Sequence, residues 1–440
     1  LHIIMMKKNR TIYFLLALVC LGLQSCLFQE EDYFDDSSAN RATADVKRCS
    51  ELLEAAPNGW VMEYYVGKDY SLGGITLLCK FDGQRVTMAS QIAGADETVS
   101  SLYSVKSEQA TMLSFDTYNY LVHYFGQPQG SMADDPNGTL GGDYEFVISD
   151  ATADRIELKG KKYGNRIVMK AFSADQTWKQ YLTRIKKVED DAFFYEYDLR
   201  MDGLYTGQML RSNYTFIVTY YDEVGKVHQK TVPFMFTTDG MRFHEPVTID
   251  GQTMQNFVWK NEEISFVCTD EGATEVKLAG VYTAGYQSYD YYPGTYQMDF
   301  YRLNDATNQM EVASQEIQLV KDEDGKSYWL KGLEYDILVT YDKPRGGLSI
   351  LPQFLKKVQG GYVYLAMWDL MNDYVLRSSA IGLISYPTTD GIYLVDNGVW
   401  MGEISGFIFG VYDSQDEEAS FMGYTDAVAA IRLIKKTIEE

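Results

Sequence analysis

The chain has 440 residues with a formal net charge of −23, and 46% of its residues are hydrophobic and 14% aromatic. This hydrophobic content excludes a largely disordered chain, and the length suits two or three domains. The negative charge argues against nucleic acid as a partner, because binding to phosphate backbones requires a basic patch.

The N-terminal region has the features of an export signal. Residues 5–25 are predicted to be a signal peptide, since basic residues precede an uncharged run at 11–22 that is too short to span a bilayer. Cys26 follows Leu-Gln-Ser, which resembles a bacterial lipoprotein signal, in which this cysteine is lipidated and becomes the mature N-terminus. Residues 26–38, which are rich in acidic side chains, are predicted to be a tether between the anchor and the first domain.

Residues 39–190 are predicted to form an N-terminal helix followed by a β-barrel-like domain. Apolar residues recur at helical spacing between Asn40 and Glu54, after the capping candidates Ser37 and Ser38. Beyond this helix the hydrophobic period changes from helical spacing to two, which indicates strands.

Local signals refine this first domain. Asp82-Gly83 lies between two alternating runs and predicts a hairpin with a type I′ turn. Two helical interruptions are predicted, at Thr117–Phe125 and Ala174–Lys186.

Two further strand-rich blocks follow. Residues 191–290 form a second β-rich block with a turn predicted at Asp250-Gly251, and residues 291–440 are predicted to be a C-terminal β-barrel-like domain. Short strands at this spacing favour antiparallel sheets over a parallel one. The predicted fold class is mainly β, with antiparallel barrel- or sandwich-like domains and a short N-terminal helix.

The remaining cysteines are predicted to be buried. Once Cys26 carries lipid, the mature chain keeps Cys49, Cys79 and Cys268. Three is odd, so at most one intramolecular disulfide can form, and whether it forms is left open. Cys79 alternates with apolar residues, as a core position does.

Motifs for common chemistries are missing from the sequence. It has no HExxH, Cys-x-x-Cys, G-x-S-x-G, phosphate-binding loop or dinucleotide fingerprint. The acidic loops at 134–138 and 322–325 contain suitable oxygens for a cation, but acidic turns more often serve solubility. We therefore predict no catalytic residue, no metal and no cofactor. Carboxylates brought together only by folding remain possible.

Aromatic clusters are the candidate binding surfaces. Four tyrosines occur within seven residues of a segment without a strand period, and these candidate ligand-binding residues are Tyr286, Tyr289, Tyr291 and Tyr292. Exposed rings of this kind bind sugars or protein partners. The alternative is that they are core residues joining the second and third blocks. Trp329, Trp368 and Trp400 are weaker candidates.

Several segments resemble a family of Bacteroidota lipoproteins known as a domain of unknown function, number 4302. They include NGWVMEYY at 58–65, LSFDTYNYLVHYF at 113–125, GGDYEFVI at 141–148 and LKGKKYGNRIVM at 158–169. The resemblance covers roughly residues 30–270 and brings no catalytic residues. It implies an outer-membrane lipoprotein associated with nutrient uptake. The acidic run at 29–32 resembles a surface-export signal, which implies a protein facing the cell surface.

The sequence thus predicts an outer-membrane lipoprotein, held by its lipid anchor, that binds without catalysis. Its expected ligand is a nutrient-derived glycan or peptide, or a protein partner in an uptake complex. Two alternatives remain, a hydrolase that uses carboxylates from separate strands and a structural or adhesion component of the cell surface.

Overall fold

The computed structural model describes residues 37–128, 138–222, 224–304, 306–307, 309–416 and 418–436. The described residues up to Thr183 form one compact unit, and those from Arg184 onward form a second. The signal peptide at 5–25, Cys26 and nearly all of the tether lie outside the described residues, as does most of the acidic loop at 134–138.

The first helix, α1, spans Ser38–Ala55. Its N-cap is Ser37, whose hydroxyl oxygen accepts a hydrogen bond from the amide of Asn40 over 3.2 Å. Leu53 is fully buried, and its carbonyl accepts a hydrogen bond from the indole of Trp60 over 2.8 Å. The predicted N-terminal helix and one of its two predicted caps are therefore confirmed.

The other two helices differ in extent from their predictions. Only one turn, α2 (Tyr120–His123), forms within the predicted segment 117–125. Helix α3 spans Trp178–Asp191 rather than 174–186. It begins late because Thr177 and Gln180 form a capping box, in which each side chain accepts a hydrogen bond from the other residue's amide.

Eight antiparallel strands close into the first barrel, because β1 pairs with both β2 and β8. These strands are β1 (Trp60–Val66), β2 (Gly73–Asp82), β3 (Arg85–Ser90), β4 (Val99–Ser107), β5 (Thr111–Phe115), β6 (Glu145–Ala151), β7 (Arg155–Gly160) and β8 (Arg166–Ala171).

The β2–β3 hairpin forms where predicted, but its turn is of another type. Asp82 pairs with Arg85, so Gly83 and Gln84 are the central residues. Of these two, only Gly83 has a positive φ, +60°, which fits a type II′ turn rather than the predicted type I′ turn. Part of the outer face of this hairpin is also buried, because Leu78 packs with Leu182 of α3.

The second barrel is built in the same way, with β9 pairing with both β10 and β16. Its strands are β9 (Glu196–Met201), β10 (Leu204–Ser212), β11 (Thr215–Tyr221), β12 (Val227–Phe236), β13 (Gly240–Ile249), β14 (Gln252–Lys260), β15 (Ser265–Cys268) and β16 (Lys277–Val281). The predicted turn at Asp250-Gly251 is confirmed, with a positive φ at both residues.

The third barrel is also an eight-stranded ring, closed by pairing of its first and last strands. The ring contains β17 (Gly294–Asn304), β18 (Gln309–Lys321), β19 (Ser327–Lys331), β20 (Ile337–Asp342), β21 (Gly347–Ile350), β25 (Leu383–Thr388), β26 (Gly391–Asp396) and β28 (Phe421–Lys435).

A sheet extension grows out of this third ring. Four strands lie outside the ring, β22 (Gln353–Val358), β23 (Gly361–Asp369), β24 (Tyr374–Leu376) and β27 (Gly406–Tyr412). They join the ring through β28, which pairs with β27 along its first half and with β17 along its second. β22 and β24 both pair with β23.

The fold prediction is confirmed as mainly β with an N-terminal helix, and barrels form rather than sandwiches. The strands of the three barrels span residues 60–171, 196–281 and 294–435. Cys49, Cys79 and Cys268 are buried free thiols, so no disulfide joins them. Burial raises the pKa of the Cys268 thiol to about 11, which keeps it protonated at neutral pH.

Candidate binding cleft in the third barrel

An open cleft of about 710 Å³ lies on the sheet extension of the third barrel. β22, β23, β27 and β28 each contribute one aromatic side chain to its lining: Phe354, Tyr364, Tyr412 and Phe421. Its volume falls within the range of small-molecule binding pockets in proteins. We call this site the aromatic cleft.

The four rings of the aromatic cleft form a continuous chain of edge contacts. The centroid of Tyr364 lies 5.4 Å from that of Phe354 and 5.7 Å from that of Tyr412, which in turn lies 5.5 Å from Phe421. Phe354 and Phe421 are each 45% exposed, whereas Tyr412 is buried beneath them. The cleft therefore presents two flat apolar rings to solvent on a fixed aromatic base.

A single arginine lies over this base. The guanidinium carbon of Arg377 is 4.2 Å from the ring centroid of Tyr412 and 4.8 Å from that of Tyr364. Its Nη2 also donates a hydrogen bond to the carbonyl oxygen of Asp416. Two cation–π contacts and this bond fix the orientation of the planar group.

Polar side chains complete the rim of the aromatic cleft. Ser378, Ser379, Gln415 and Asp416 are all exposed and lie among the lining residues. Burial raises the pKa of the Tyr412 phenol, an effect that the nearby charge of Arg377 opposes. The cleft thus combines apolar rings with hydroxyl, amide, carboxylate and guanidinium groups.

A glycine allows the rings to lie close to the sheet. A Cβ at Gly410 would come within 2.9 Å of the Tyr412 ring and 3.1 Å of the Phe421 ring. Any larger residue at this position would push one of these rings aside. Gly410 therefore helps to set the shape of the aromatic cleft.

The predicted tyrosine segment lies elsewhere, between the second and third barrels. Tyr292 is fully buried, and its hydroxyl donates a hydrogen bond to the carbonyl of Gly346 over 2.8 Å. A buried ring cannot contact a ligand at the surface, so Tyr292 is removed from the candidate binding residues.

The other three tyrosines differ in their exposure. Tyr289 is half-buried, with its hydroxyl bonded to the carbonyl of Ser327. Tyr286 is also half-buried and stacks on Phe193, whereas Tyr291 is 39% exposed. Ligand binding by Tyr286, Tyr289 and Tyr291 stays a prediction, while the contacts of the segment show that it joins the two barrels.

The three tryptophans also make structural contacts. Trp368 is buried in a small apolar cluster on the sheet extension. The indole nitrogen of Trp400 donates a hydrogen bond to the buried carboxylate of Asp369 over 3.0 Å, and that of Trp329 bonds to Asp322 over 3.1 Å.

Within the described part of the chain, no three His, Cys, Asp or Glu side chains lie close enough together to hold a metal ion. The acidic turn at 322–325 has a different role, because Asp324 accepts hydrogen bonds from the amides of Lys326 and Ser327. None of the described helices is long and apolar enough to cross a membrane.

A family described as "Domain of unknown function (DUF4302)" matches residues 30–261, more than half of the chain. The chain belongs to the DUF4302 family. A second family, described only as a domain of unknown function (DUF4987), matches residues 269–408, which include most of the aromatic cleft. The predicted membership of the DUF4302 family is therefore confirmed.

None of the curated proteins matches this DUF4302 chain. One solved structure, "The Structure of Intact Ap-TbpB (N and C lobes)", is 11% identical over 83% of this chain and 67% of that one, with a TM-score of 0.14. Such a low score supports no inference about fold or function.

Two DUF4302 segments noted in the sequence, GGDYEFVI and LKGKKYGNRIVM, meet in the first barrel. The buried carboxylate of Asp143 accepts hydrogen bonds from the amides of Lys162 over 2.7 Å and Tyr163 over 3.1 Å. Asn165 donates to the carbonyls of Tyr65 and Gly67. These side chains hold turns in place, so their role is structural.

Proposed function

We propose that this chain is a lipid-anchored protein of the outer membrane that faces the cell surface, binds a nutrient-derived glycan and does not transform it. The observation that carries the proposal is the aromatic cleft, with exposed Phe354 and Phe421 beside a fixed guanidinium. The Leu-Gln-Ser-Cys sequence ending at Cys26 supports the anchor, and the acidic run at 29–32 supports the surface orientation.

A glycan fits this chemistry better than a peptide does. The apolar faces of sugar rings pack on flat aromatic side chains, and their hydroxyls bond to the polar groups of the rim. The cleft is open rather than deep, so it suits a chain that extends into solvent on either side. An apolar peptide anchor would require a more enclosed pocket.

An array of glycans and peptides tests this proposal. The full-length protein, purified in detergent, is expected to bind a subset of neutral glycans. The double variant Phe354→Ala/Phe421→Ala is expected to lose that signal. Tyr386→Ala is the matched control, because Tyr386 is a 62% exposed tyrosine of the same barrel outside the cleft.

Three other outcomes would contradict parts of the proposal. Binding to peptides alone would contradict the glycan ligand, and an array without signal would contradict the binding function. The bound glycan should stay intact on long incubation. New reducing ends that appear with time would instead show a hydrolase.

A further inference from the structure

A second cleft of about 710 Å³ lies within the second unit, where the second and third barrels meet. Its walls come from the end of α3, the turn after β10 and two turns of the third barrel. We call it the junction cleft. Its charged lining residues are Lys186, Glu189, Asp190, Arg211, Lys326 and Lys343.

The junction cleft has the opposite charge to the chain as a whole. Four cationic side chains face two acidic ones, although the chain carries a net charge of −23. A cleft whose lining carries a net positive charge attracts ligands of negative charge. The junction cleft is therefore suited to an anion.

Two of the four cations are held rigidly by the protein itself. Arg211 is mostly buried, and it donates hydrogen bonds from Nη1 to the carbonyl of Ala192 over 2.9 Å and from Nε to the carbonyl of Asn213 over 3.0 Å. The ammonium of Lys343 donates to the carbonyl and to the carboxylate of Asp190, both over 2.8 Å.

The acidic residues are engaged in these same contacts. The carboxylate of Glu189 accepts a hydrogen bond from the hydroxyl of Tyr214 over 2.8 Å and lies 3.7 Å from Nη2 of Arg211. Asp190 binds Lys343. Both acids therefore fix the walls of the junction cleft.

Lys326 is different, because its ammonium makes no hydrogen bond or salt bridge with the residues that the structure describes, although its charge helps to lower the pKa of Asp324 in the same turn. It lies exposed at the rim, and the 52% exposed ring of Tyr195 also lines the cleft. Ser212 and Asn213 add polar groups to the same lining. An available cation, a flat ring and neutral hydrogen-bonding groups together suit an anion carried on a sugar.

We propose that the junction cleft binds an acidic saccharide, with its carboxylate paired to Lys326 and its ring packed against Tyr195. This site is separate from the aromatic cleft, so the chain would bind neutral and acidic glycans at different places. Charge-assisted hydrogen bonds of this kind are stronger than neutral ones and lose strength as salt is added.

Calorimetric titration of the full-length protein with digalacturonate tests the proposal. Its dimethyl ester keeps the same rings without the charge, and inorganic sulfate provides charge without rings. We expect digalacturonate to bind more tightly than either probe. We also expect Lys326→Gln to weaken this binding about tenfold.

The matched control is Lys230→Gln, which removes the same charge from an exposed lysine of the second barrel outside the cleft. Equal affinities for digalacturonate and its ester would overturn the proposal, as would equal effects of the Lys326 and Lys230 variants. If sulfate binds as tightly as digalacturonate, the cleft binds anions in general, and the proposal of a saccharide site is contradicted.

These outcomes are independent of the proposed function. Phe354→Ala/Phe421→Ala should leave digalacturonate binding unchanged, and Lys326→Gln should leave neutral-glycan binding unchanged. Failure at one cleft is therefore distinguishable from failure at the other.

Discussion

At the scale of single residues, two neighbouring tyrosines differ in their contribution to stability. Tyr292 is fully buried with its hydroxyl bonded, whereas Tyr291 is 39% exposed. We expect Tyr292→Ala to lower the free energy of unfolding by about 3–5 kcal/mol, as for other large aromatic truncations in cores. Tyr291→Ala should lower it by less than about 1 kcal/mol. Urea unfolding measures both, and equal losses would contradict this assignment.

The residues of the aromatic cleft could not be predicted from the sequence pattern. Phe354, Tyr364, Tyr412 and Phe421 come from four strands spread over almost seventy positions, and alternating aromatics on strands normally fill cores. The period of two shows which residues share a face but not which face meets solvent. Gly410, a strand glycine between apolar residues, is the one local signal of closely packed rings.

At the scale of elements, an ion-pair network fixes the closure of the third barrel. Arg432 on β28 pairs with Asp299 on β17 over 2.9 Å and with Asp390 before β26 over 3.0 Å. Hydrogen bonds from Gln297, Arg432 and Ser314 lower the pKa of Asp299 to about 2. Hydrogen bonds from Thr388, Tyr393 and Arg432 likewise lower the pKa of Asp390 to about 2.

This network predicts that the stability of the protein falls at acidic pH. Carboxylates with a lowered folded-state pKa contribute stability that is fully present above their ordinary value of 3.8 and is lost as pH falls toward 2. Asp299→Asn should remove part of that pH dependence, about 1 kcal/mol or less because the pair is partly exposed. Unfolding free energies measured between about pH 4 and pH 2 test this expectation. The control is Asp373→Asn, because Asp373 is an exposed acid of the same barrel. Identical pH profiles for wild type and Asp299→Asn would contradict the assignment.

Local sequence signals predicted most elements but not all of their bounds. Ser37 caps α1 as expected, since its side chain and the first turn are adjacent in sequence. The capping box of Thr177 and Gln180 is equally local and gives the start of α3 that the apolar spacing misplaced. The single turn of α2 also begins at a local cap, Asn119, whose side-chain oxygen accepts a hydrogen bond from the amide of Leu121.

At the scale of the whole molecule, period-two patterning predicted a mainly β chain with antiparallel connections. The pattern could not show ring closure, because β1 and β8 pair across about a hundred residues and no local signal specifies the partner of an edge strand. For the same reason, the sheet extension around β23 was not predicted. The candidate cleft depends on that extension, so the fold class was predictable while the site was not.

The lipid anchor is a whole-molecule prediction that rests on Cys26, which lies outside the described residues. Cys26→Ala should abolish labelling with radioactive palmitate and release the protein from membranes. Cys20→Ala, within the predicted signal peptide, is the matched control and should be labelled normally. Unchanged labelling of Cys26→Ala would contradict the anchor.

The most direct test of the binding function is a calorimetric titration of the strongest neutral glycan from the array. The account predicts that Phe354→Ala/Phe421→Ala weakens binding about tenfold or more, since truncation of a residue that anchors a ligand costs more than about 1 kcal/mol. Tyr386→Ala should bind as wild type does, with all three proteins equally stable. Equal affinities of the wild type and the double variant would show that the aromatic cleft is not the binding site.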